Sequence, residues 1–405
     1  MTYQELEKLA AKWDGQVCIF GAGLIGRTWG YDIIDAAGFK IDFYCDNNIL
    51  DNVQVRNGIK KKSISELYII NKDVLIFITV SEKYQEEIVK QLEENGIYNY
   101  VLVGFVFLEE LIESILASNN QAIINKYCKI INDEEFLKEQ FYYRVGYKLN
   151  LENPQTFNEK IQWLKLHDRR PIYTKLVDKY EFKKFVENEL GKEYVIPTLG
   201  VWNCVEEIEF DKLPKQFVLK CTHDSGSVII CRDKLKFDID NARKRLAYAL
   251  RRNYYWNGRE WPYKNVKPRI IAEEYIQDDK NLEIVDYKFL CFNGKYKCAF
   301  TCTERFEHEG LKVTFFNTKW GKMSVERHYP SSKKKISKPI NYSKMIRIAE
   351  KLAENIPFVR IDFYEVNGKM YLSEFTLYPG CGFEEFSDWK QDKEFGSWLD
   401  LENIN

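Results

Sequence analysis

The residues of this chain that are best placed to do chemistry lie in the segment RIDFYEVNGKMYLSEFTLYPG, residues 360–380. Asp362 lies on one predicted strand, Glu374 and Thr376 lie on the next, and Asn-Gly between them predicts a hairpin tip. Because side chains alternate along a strand, we expect a simple hairpin to bring both carboxylates within reach of one ion. Mg²⁺ takes few protein oxygens and bridges phosphates, so these three residues are candidate metal ligands. The alternative is a pair of acids that merely face solvent on an antiparallel hairpin.

Arg360 shares a strand face with Asp362, because the two residues are two positions apart. A guanidinium group is a planar fork of donors that suits an anion developing during a reaction. Arg360 is therefore a candidate catalytic residue.

A second segment, QFVLKCTHDSGSVIICRD, occupies residues 216–233. It predicts a strand that ends at a lysine, a loop of small residues, and a further strand that starts at Val228. Backbone N–H groups in such a loop can close over phosphates while the lysine neutralises their charge. The alternative is an ordinary hairpin turn. The candidate phosphate ligands are Lys220, His223, Ser225, Gly226 and Ser227.

Two residues of this segment carry further expectations. A lysine at a strand end has little packing to lose, so replacing Lys220 should affect turnover far more than stability. An acid within the loop would repel a phosphate, so we expect Asp224 to face a substrate amine or solvent.

An apolar strand that runs into two acids, PRIIAEEYIQ, occupies residues 268–277. The backbone of such a strand could pair with the edge of an adenine base. In the next predicted strand, which begins VDYKF, Asp286 could accept hydrogen bonds from ribose hydroxyls. These features favour a nucleotide site over a chance pair of acids.

A glycine-rich turn with the spacing Gly21-x-Gly23-x-x-Gly26 follows the first strand and opens a helix, and Asp46 ends the next strand. Such glycines let the backbone approach a phosphate, and the acid can hold ribose hydroxyls, so the pattern predicts a Rossmann-like domain. Three readings stay open: a nucleotide sugar, a dinucleotide, or a docking domain with no ligand. No partner for hydride transfer is visible, and the region resembles small Rossmann domains that bind nucleotide sugars.

The elements that must position these residues divide into two types. Residues 16–118 show short apolar strands separated by helical patterns, a β-α-β series that implies a parallel sheet. A helical stretch follows, in which Thr156 and Glu159 predict a capping box. Strands then dominate, with hairpin tips at FNGK and EVNGK. We therefore predict a Rossmann-like parallel sheet in residues 1–120 and a second domain with antiparallel sheets in residues 121–405.

The order of these motifs resembles that of ATP-grasp enzymes such as D-alanine–D-alanine ligase. Over about residues 125–400 the chain is similar to the TupA-like ATP-grasp family of cell-surface polysaccharide enzymes. Four stretches carry the similarity: NPQTFNEKIQWLKLHDRRPIYTKLVDKYEFKKFV, YVIPTLGVW, LPKQFVLKCTHDSGS, and AEEYI with DYKFLCFNGK. The resemblance implies an ATP-grasp module that uses ATP and Mg²⁺.

The resemblance also implies a role for each matching residue. The chain departs from the family at Thr376, where many ATP-grasp enzymes have Asn, and at Thr222-His223-Asp224, where the family usually has Asn-His-Gly. The implied sites are phosphate contacts at Lys179 and Lys220, an adenine hinge at Glu273, Glu274, Tyr275 and Ile276, a ribose acid at Asp286, a cofactor contact at Lys288, an intermediate-binding arginine at Arg360, and metal ligands at Asp362 and Glu374.

Composition narrows the range of partners and locations. The net charge of −1 argues against nucleic acid as a partner. The ten cysteines include no CxxC pair and most lie in apolar runs, as expected of free thiols in a reducing cytoplasm. The N-terminal pattern predicts an amphipathic helix rather than a signal peptide. No apolar run is long enough to span a membrane. We therefore expect a cytoplasmic protein.

Together with these motifs, the resemblance to ATP-grasp enzymes implies an ATP- and Mg²⁺-dependent ligase that forms an amide between a carboxylate and an amine through an acyl phosphate. The family resemblance implies that the carboxylate is a uronic acid in a capsule or surface-polysaccharide precursor. The alternative is a non-catalytic or glycosyltransferase-type assembly protein that binds a nucleotide sugar through its N-terminal domain.

Overall fold

The computed structural model describes residues 1–47, 55–70, 73–278, 284–305, 307–308, 310–402 and 404. Contacts divide the chain into two compact units, Met1–Leu149 and Asn150–Asn405. The first unit thus extends past residue 120, where the sequence-based boundary lies. Within the described ranges, no helix is both long enough and apolar enough to cross a bilayer.

The first unit contains the predicted parallel sheet. Its strands lie in the order β3-β2-β1-β4-β5, and the paired strands are parallel. β4 is buried along its whole length, as expected of a central parallel strand. The strands are β1 (Gln16–Phe20), β2 (Phe43–Asp46), β3 (Lys61–Ser63), β4 (Val74–Ile78) and β5 (Tyr100–Leu102), and the helices are α1 (Tyr3–Lys12), α2 (Leu24–Arg27), α3 (Trp29–Ala37), α4 (Ile64–Ile69), α5 (Glu82–Glu94), α6 (Phe105–Ala117), α7 (Gln121–Lys126), α8 (Cys128–Ile131) and α9 (Asp133–Val145).

The second unit contains two antiparallel sheets, which confirms the prediction for this part of the chain. The smaller sheet has the order β6-β9-β7-β8 and the larger has the order β12-β11-β10-β13-β14. The strands are β6 (Thr198–Trp202), β7 (Phe217–Cys221), β8 (Ile229–Cys231), β9 (Ile270–Glu274), β10 (Asp286–Phe292), β11 (Lys295–Thr303), β12 (Lys312–Asn317), β13 (Phe358–Val366) and β14 (Lys369–Thr376).

Seven helices in the described part of this unit cover and connect the sheets. They are α10 (Phe157–His167), α11 (Ile172–Val177), α12 (Lys179–Glu189), α13 (Ile239–Leu250), α14 (Tyr255–Gly258), α15 (Tyr342–Leu352) and α16 (Trp389–Ser397). Short 3₁₀ turns occur in the two units at Arg56–Gly58, Lys192–Tyr194, Val205–Glu207, Phe210–Lys212, Lys234–Lys236, Trp261–Asn265 and Pro379–Gly382.

Local sequence signals set the ends of several elements. The predicted capping box forms at α10: Glu159 N–H donates to the Thr156 hydroxyl at 3.1 Å, and Thr156 N–H donates to the Glu159 carboxylate at 3.0 Å. Asn367 has φ 52° and Gly368 has φ 75°, the left-handed pair that a two-residue hairpin tip requires. The hairpin of β13 and β14 therefore forms where the sequence predicted it.

Packing of α12 against β14 accompanies the burial of two lysines of the helix, Lys179 and Lys183. Phe182 and Val186 of α12 are buried in the main core, and the Phe182 ring lies 5.8 Å from that of Phe375 on β14. Lys179 and Lys183 lie four residues apart and so share one face of the helix. The core thus fixes both lysines relative to the two sheets.

Candidate active site

Three neighbouring strands arrange the predicted catalytic side chains in rows. Lys288 on β10 lies opposite Asp362 on β13, and Asp362 lies opposite Glu374 on β14. In the adjacent row, Arg360 lies opposite Thr376. The structure therefore brings together the three predicted metal ligands and the predicted catalytic arginine.

A β-bulge produces this alignment. The hairpin is regular from its tip as far as the pair of Phe363 and Leu372, but Asp362 then lies opposite Glu374, so Ser373 is the extra residue. A regular register would have placed Ser373 opposite Asp362 and turned Glu374 to the other face. The simple hairpin assumed from the sequence is therefore wrong, although the two carboxylates are neighbours.

Arg360 lies between the two carboxylates. Its Nε and Nη2 each donate to Asp362 at 2.7 Å, and Nη2 also donates to Glu374 at 2.9 Å. The Lys288 ammonium group donates to Asp362 from the other side. Burial raises the pKa of Asp362, but the attraction of Arg360 and Lys288 outweighs burial and holds the pKa below its usual value. Asp362 is therefore ionised at neutral pH, with both cations bound to it.

Two oxygen atoms near this row are buried without a hydrogen-bond partner in the described structure: Oδ1 of Asp286 and Oγ1 of Thr376. The other carboxylate oxygen of Asp286 lies 2.8 Å from Lys288, and burial raises the pKa of Asp286. Asp286 thus contacts the row that contains the predicted metal ligands, a contact that its predicted ribose role did not anticipate.

The donor set near Asp362 suits a hard cation. Mg²⁺ accepts one or two carboxylates and keeps several waters, so Asp362, Glu374 and the Thr376 hydroxyl fit its requirements. A group of three or more His, Cys, Asp or Glu side chains placed to bind a metal does not occur in the described residues. Any ion here would therefore take its remaining ligands from water or from a bound phosphate.

The smaller sheet contributes a second charged cluster. Glu273 on β9 is buried, with Oε2 2.6 Å from the ammonium group of Lys220 on β7 and Oε1 2.5 Å from that of Lys183 on α12. Burial raises the pKa of Glu273, but the two lysines outweigh burial and the pKa is lowered overall. Lys183 was not predicted as a site residue, although its spacing of four residues from Lys179 on a helix is a signal for a shared face.

The loop between β7 and β8 is tied together by its own polar groups. Lys179 donates to the backbone carbonyl of Asp224, and its ammonium group lies 3.8 Å from the Asp224 carboxylate. The Ser227 hydroxyl donates to that carboxylate at 2.7 Å and accepts from the backbone N–H of Cys221 at 2.8 Å. Asp224 is buried and points into the loop, so the expectation that it faces solvent is wrong.

The remaining predicted phosphate ligands differ in exposure. Ser225 and Gly226 are exposed at the loop tip, and Gly226 has φ 101°, which favours glycine. His223 is buried, with Nε2 3.0 Å from the Ala249 carbonyl and Nδ1 without a partner among the described residues. Burial lowers the pKa of His223. His223 is therefore neutral at pH 7, with its Nε2–H directed to Ala249 and Nδ1 free to accept.

The predicted adenine hinge lies at the end of β9. Glu274 is exposed and its backbone N–H donates to Pro197 at 3.1 Å. Glu274 and Tyr275 line an open groove with Lys215, and Ile276 packs against the small apolar cluster that contains Tyr371 of β14. The hinge segment thus runs from the smaller sheet toward β14 of the larger sheet.

Replacement of Lys220 should affect stability as well as turnover, contrary to the expectation from the sequence. Lys220→Ala removes one of the two charged donors to the buried Glu273 carboxylate. Because a hydrogen bond between charged groups is stronger than one between neutral groups, we expect the substitution to lower the free energy of unfolding by about 1–3 kcal/mol. Urea denaturation of the full chain measures this. Lys212→Ala removes a surface ion pair with Glu209 and serves as control. Equal stabilities of the two variants would contradict the prediction.

In the first unit, the three glycines of the predicted phosphate turn differ in what they require. Gly21 has φ 103° and donates its N–H to the Cys45 carbonyl at 2.8 Å. The Asp46 carboxylate accepts from the backbone N–H of Ala22 at 2.8 Å and so braces the turn. A Cβ on Gly26 would lie 2.1 Å from the Gly21 carbonyl oxygen, whereas a Cβ on Gly23 would meet no described atom within 4 Å. Gly21 and Gly26 are needed by the fold, and Gly23 is not.

Two alanine substitutions separate these roles. We expect Gly26→Ala to destabilise the protein by about 1–3 kcal/mol, because the backbone must move to admit the methyl group. Gly23→Ala should change stability by less than about 0.5 kcal/mol, because its Cβ meets open space. Thermal melting of the full chain checks both values. A Gly26→Ala variant as stable as Gly23→Ala would show that the turn relaxes freely.

Comparison with known proteins identifies a family. A family described as TupA-like ATPgrasp matches residues 159–400, more than half of the chain. No curated protein matches significantly. Solved structures similar to this chain include D-alanine–D-alanine ligase from Bacillus anthracis complexed with ATP, at 13% identity and a TM-score of 0.32, with 90% of this chain and 86% of that chain covered.

Two further similar structures are those of other enzymes. ATP-grasp ligase PsnB complexed with minimal precursor, Mg and ADP is 9% identical, with a TM-score of 0.30 and with 89% of this chain and 88% of that chain covered. D-cycloserine synthetase DcsG is 11% identical, with a TM-score of 0.29 and with 90% of this chain and 91% of that chain covered.

Proposed function

Because the chain belongs to the TupA-like ATP-grasp family, we propose that it is an ATP-dependent ligase that joins a carboxylate to an amine through an acyl phosphate. The observation that carries this proposal is the row of Lys288, Asp362 and Glu374 beside Arg360. Phosphoryl transfer between two anions needs charge neutralisation and fixed positions, and a set of closely placed positive and negative side chains within one sheet suits both.

The chemistry follows from the weakness of hydroxide as a leaving group. A carboxylate oxygen attacks the γ-phosphorus of ATP, the bond to the β-phosphate oxygen breaks, and ADP leaves. The amine then attacks the acyl carbon, loses a proton, and inorganic phosphate departs. In this proposal Lys179 and Lys220 bind the nucleotide phosphates, and Arg360 binds the oxyanion of the tetrahedral intermediate.

The proposed ligands of Mg²⁺ are Asp362, Glu374 and Thr376. When bound, the ion would neutralise charge on the phosphates. Arg360 contacts the same two carboxylates, so we expect the ion and this guanidinium group to compete for them.

The proposed substrate is a uronic acid in a capsule or surface-polysaccharide precursor, and the support is the resemblance to polysaccharide enzymes. For the first unit we propose a nucleotide sugar at the glycine turn, supported by the open space at Gly23. All ten cysteines are free thiols and eight are buried, which supports the proposed cytoplasmic location.

An isotope experiment tests the reaction type. The full chain is incubated with Mg·ATP, an amine and a uronate labelled with oxygen-18 in its carboxylate, and the products are analysed by mass spectrometry. We expect ADP and labelled inorganic phosphate. Label in AMP, or a stable phosphorylated sugar, would contradict the proposal. Binding of a nucleotide sugar without any ADP production would instead support the alternative, a polysaccharide assembly protein.

A further inference from the structure

Lys183 was given no role from the sequence, yet it belongs to a cluster of charged residues around the buried Glu273 carboxylate. Its ammonium group is 2.5 Å from Oε1 of Glu273, while Oε2 of the same carboxylate is 2.6 Å from Lys220. The side chains of Lys183, Glu273 and Lys220 are 7%, 6% and 13% exposed. One carboxylate is therefore shared by two cations, and one of these, Lys220, is a proposed phosphate lysine.

The charge of this triad distinguishes it from a structural ion pair. Burying a charge is costly unless it is compensated, so a cluster that serves only the fold should be neutral. Here two ammonium groups share one carboxylate, and one positive charge remains. Asp224 is already contacted by Lys179, and Glu187, one turn further along α12, lies outside the hydrogen-bonded triad. The triad is therefore suited to one additional anion.

We propose that Lys183 is a positioning residue for nucleotide binding: by taking one oxygen of Glu273, it leaves Lys220 with a positive charge that a phosphate of ATP can use. This inference rests on the proposed function, because it takes ATP as the ligand of Lys220. Without Lys183, Glu273 and Lys220 form a neutral pair. A unit charge acting over several ångströms near a protein surface changes affinity by roughly 10- to 100-fold.

Calorimetric titration of the full chain with Mg·ATP tests the inference by comparing four variants with wild type. Lys183→Met removes the charge but keeps the length of the side chain, and we expect it to bind Mg·ATP about 10- to 100-fold more weakly than wild type. Glu273→Gln should bind at least as tightly as wild type. The double variant Lys183→Met/Glu273→Gln restores one surplus positive charge, and we expect it to recover affinity close to that of wild type. Lys183→Arg keeps the charge and should also bind well.

Each outcome decides between the inference and the function on which it rests. If wild type does not bind Mg·ATP, the proposed function fails and the inference fails with it. If wild type binds but Lys183→Met binds equally well, or if the folded double variant binds no better than Lys183→Met, only the inference is overturned. Should Lys183→Met fail to fold, Glu273→Gln and the double variant replace it, and an affinity of either one well below that of wild type would overturn the inference.

Discussion

Glu374→Gln should lose turnover by more than about 100-fold while the protein stays folded. The substitution removes a charge from a proposed Mg²⁺ ligand, and loss of a ligand should exceed the roughly 10- to 100-fold effect of changing groups that merely support a metal site. The Glu374 side chain is 26% exposed and its described ion pair is with Arg360. We therefore expect a stability change of about 1 kcal/mol or less.

Asp362→Asn should behave differently, and the contrast is part of the test. Asp362 is 1% exposed and is contacted by Arg360 and Lys288. Neutralising it removes the anion that both cations share and leaves each with one carboxylate, Arg360 with Glu374 and Lys288 with Asp286. We therefore expect a loss of about 1–3 kcal/mol in stability in addition to the loss of turnover.

Rates of ADP release and melting curves measure both effects. Glu189→Gln is a matched control, because Glu189 also forms an ion pair, with Lys351, but on the surface at the end of α12. It should retain wild-type turnover and stability. A Glu374→Gln protein with near wild-type turnover would remove the metal assignment, whatever the stability of Asp362→Asn.

Arg360→Met should abolish turnover and increase the response of the protein to Mg²⁺. The proposed role of Arg360 is to bind a developing oxyanion, and loss of one such donor costs about 100- to 1000-fold in kcat. The same guanidinium group neutralises Asp362 and Glu374. Without it the two carboxylates repel each other, so the melting temperature should fall in buffer without divalent cations.

Adding Mg²⁺ should then raise the melting temperature of Arg360→Met more than that of wild type, because binding to the folded state stabilises it by mass action. Arg360→Lys keeps a positive charge but loses the planar fork, and should respond to Mg²⁺ as wild type does. An Arg360→Met protein with the same Mg²⁺ response as wild type would show that Arg360 and the ion do not compete.

The parts of the fold that local sequence determines were predicted well. The parallel sheet follows from the β-α-β order, and both Asn-Gly tips turn where expected, because a left-handed pair of residues is a local requirement. Charged pairs between distant residues leave no such local signal. The ion pair of Lys183 with Glu273 joins residues 90 positions apart, and the position of Asp224 depends on Lys179 of another element.

The sequence of β14 contains a signal for the bulge in the spacing of its hydrophobic residues, although the prediction of a simple hairpin did not include it. Along β14 the core-facing side chains include Met370 and Leu372, and then Phe375, with Leu377 after the strand. Side chains of a regular strand share a face only at even spacing, so the interval of three between Leu372 and Phe375 marks an extra residue. The extra residue reverses which positions of the strand face the core. Hydrophobic residues therefore stay in the core on both sides of the bulge, and Glu374 lies on the face that bears Asp362.

The extra residue at Ser373 makes β14 respond differently to shortening and to lengthening. Deletion of Ser373 would leave every proposed ligand present and would make the hairpin regular, with Glu374 still opposite Asp362 and Phe375 still opposite Ile361. One residue inserted beside Ser373 would instead shift Glu374 out of its position opposite Asp362, unless the bulge widened to hold both extra residues. Among homologous chains, we therefore expect loss of the extra residue at this point to be more common than a further insertion.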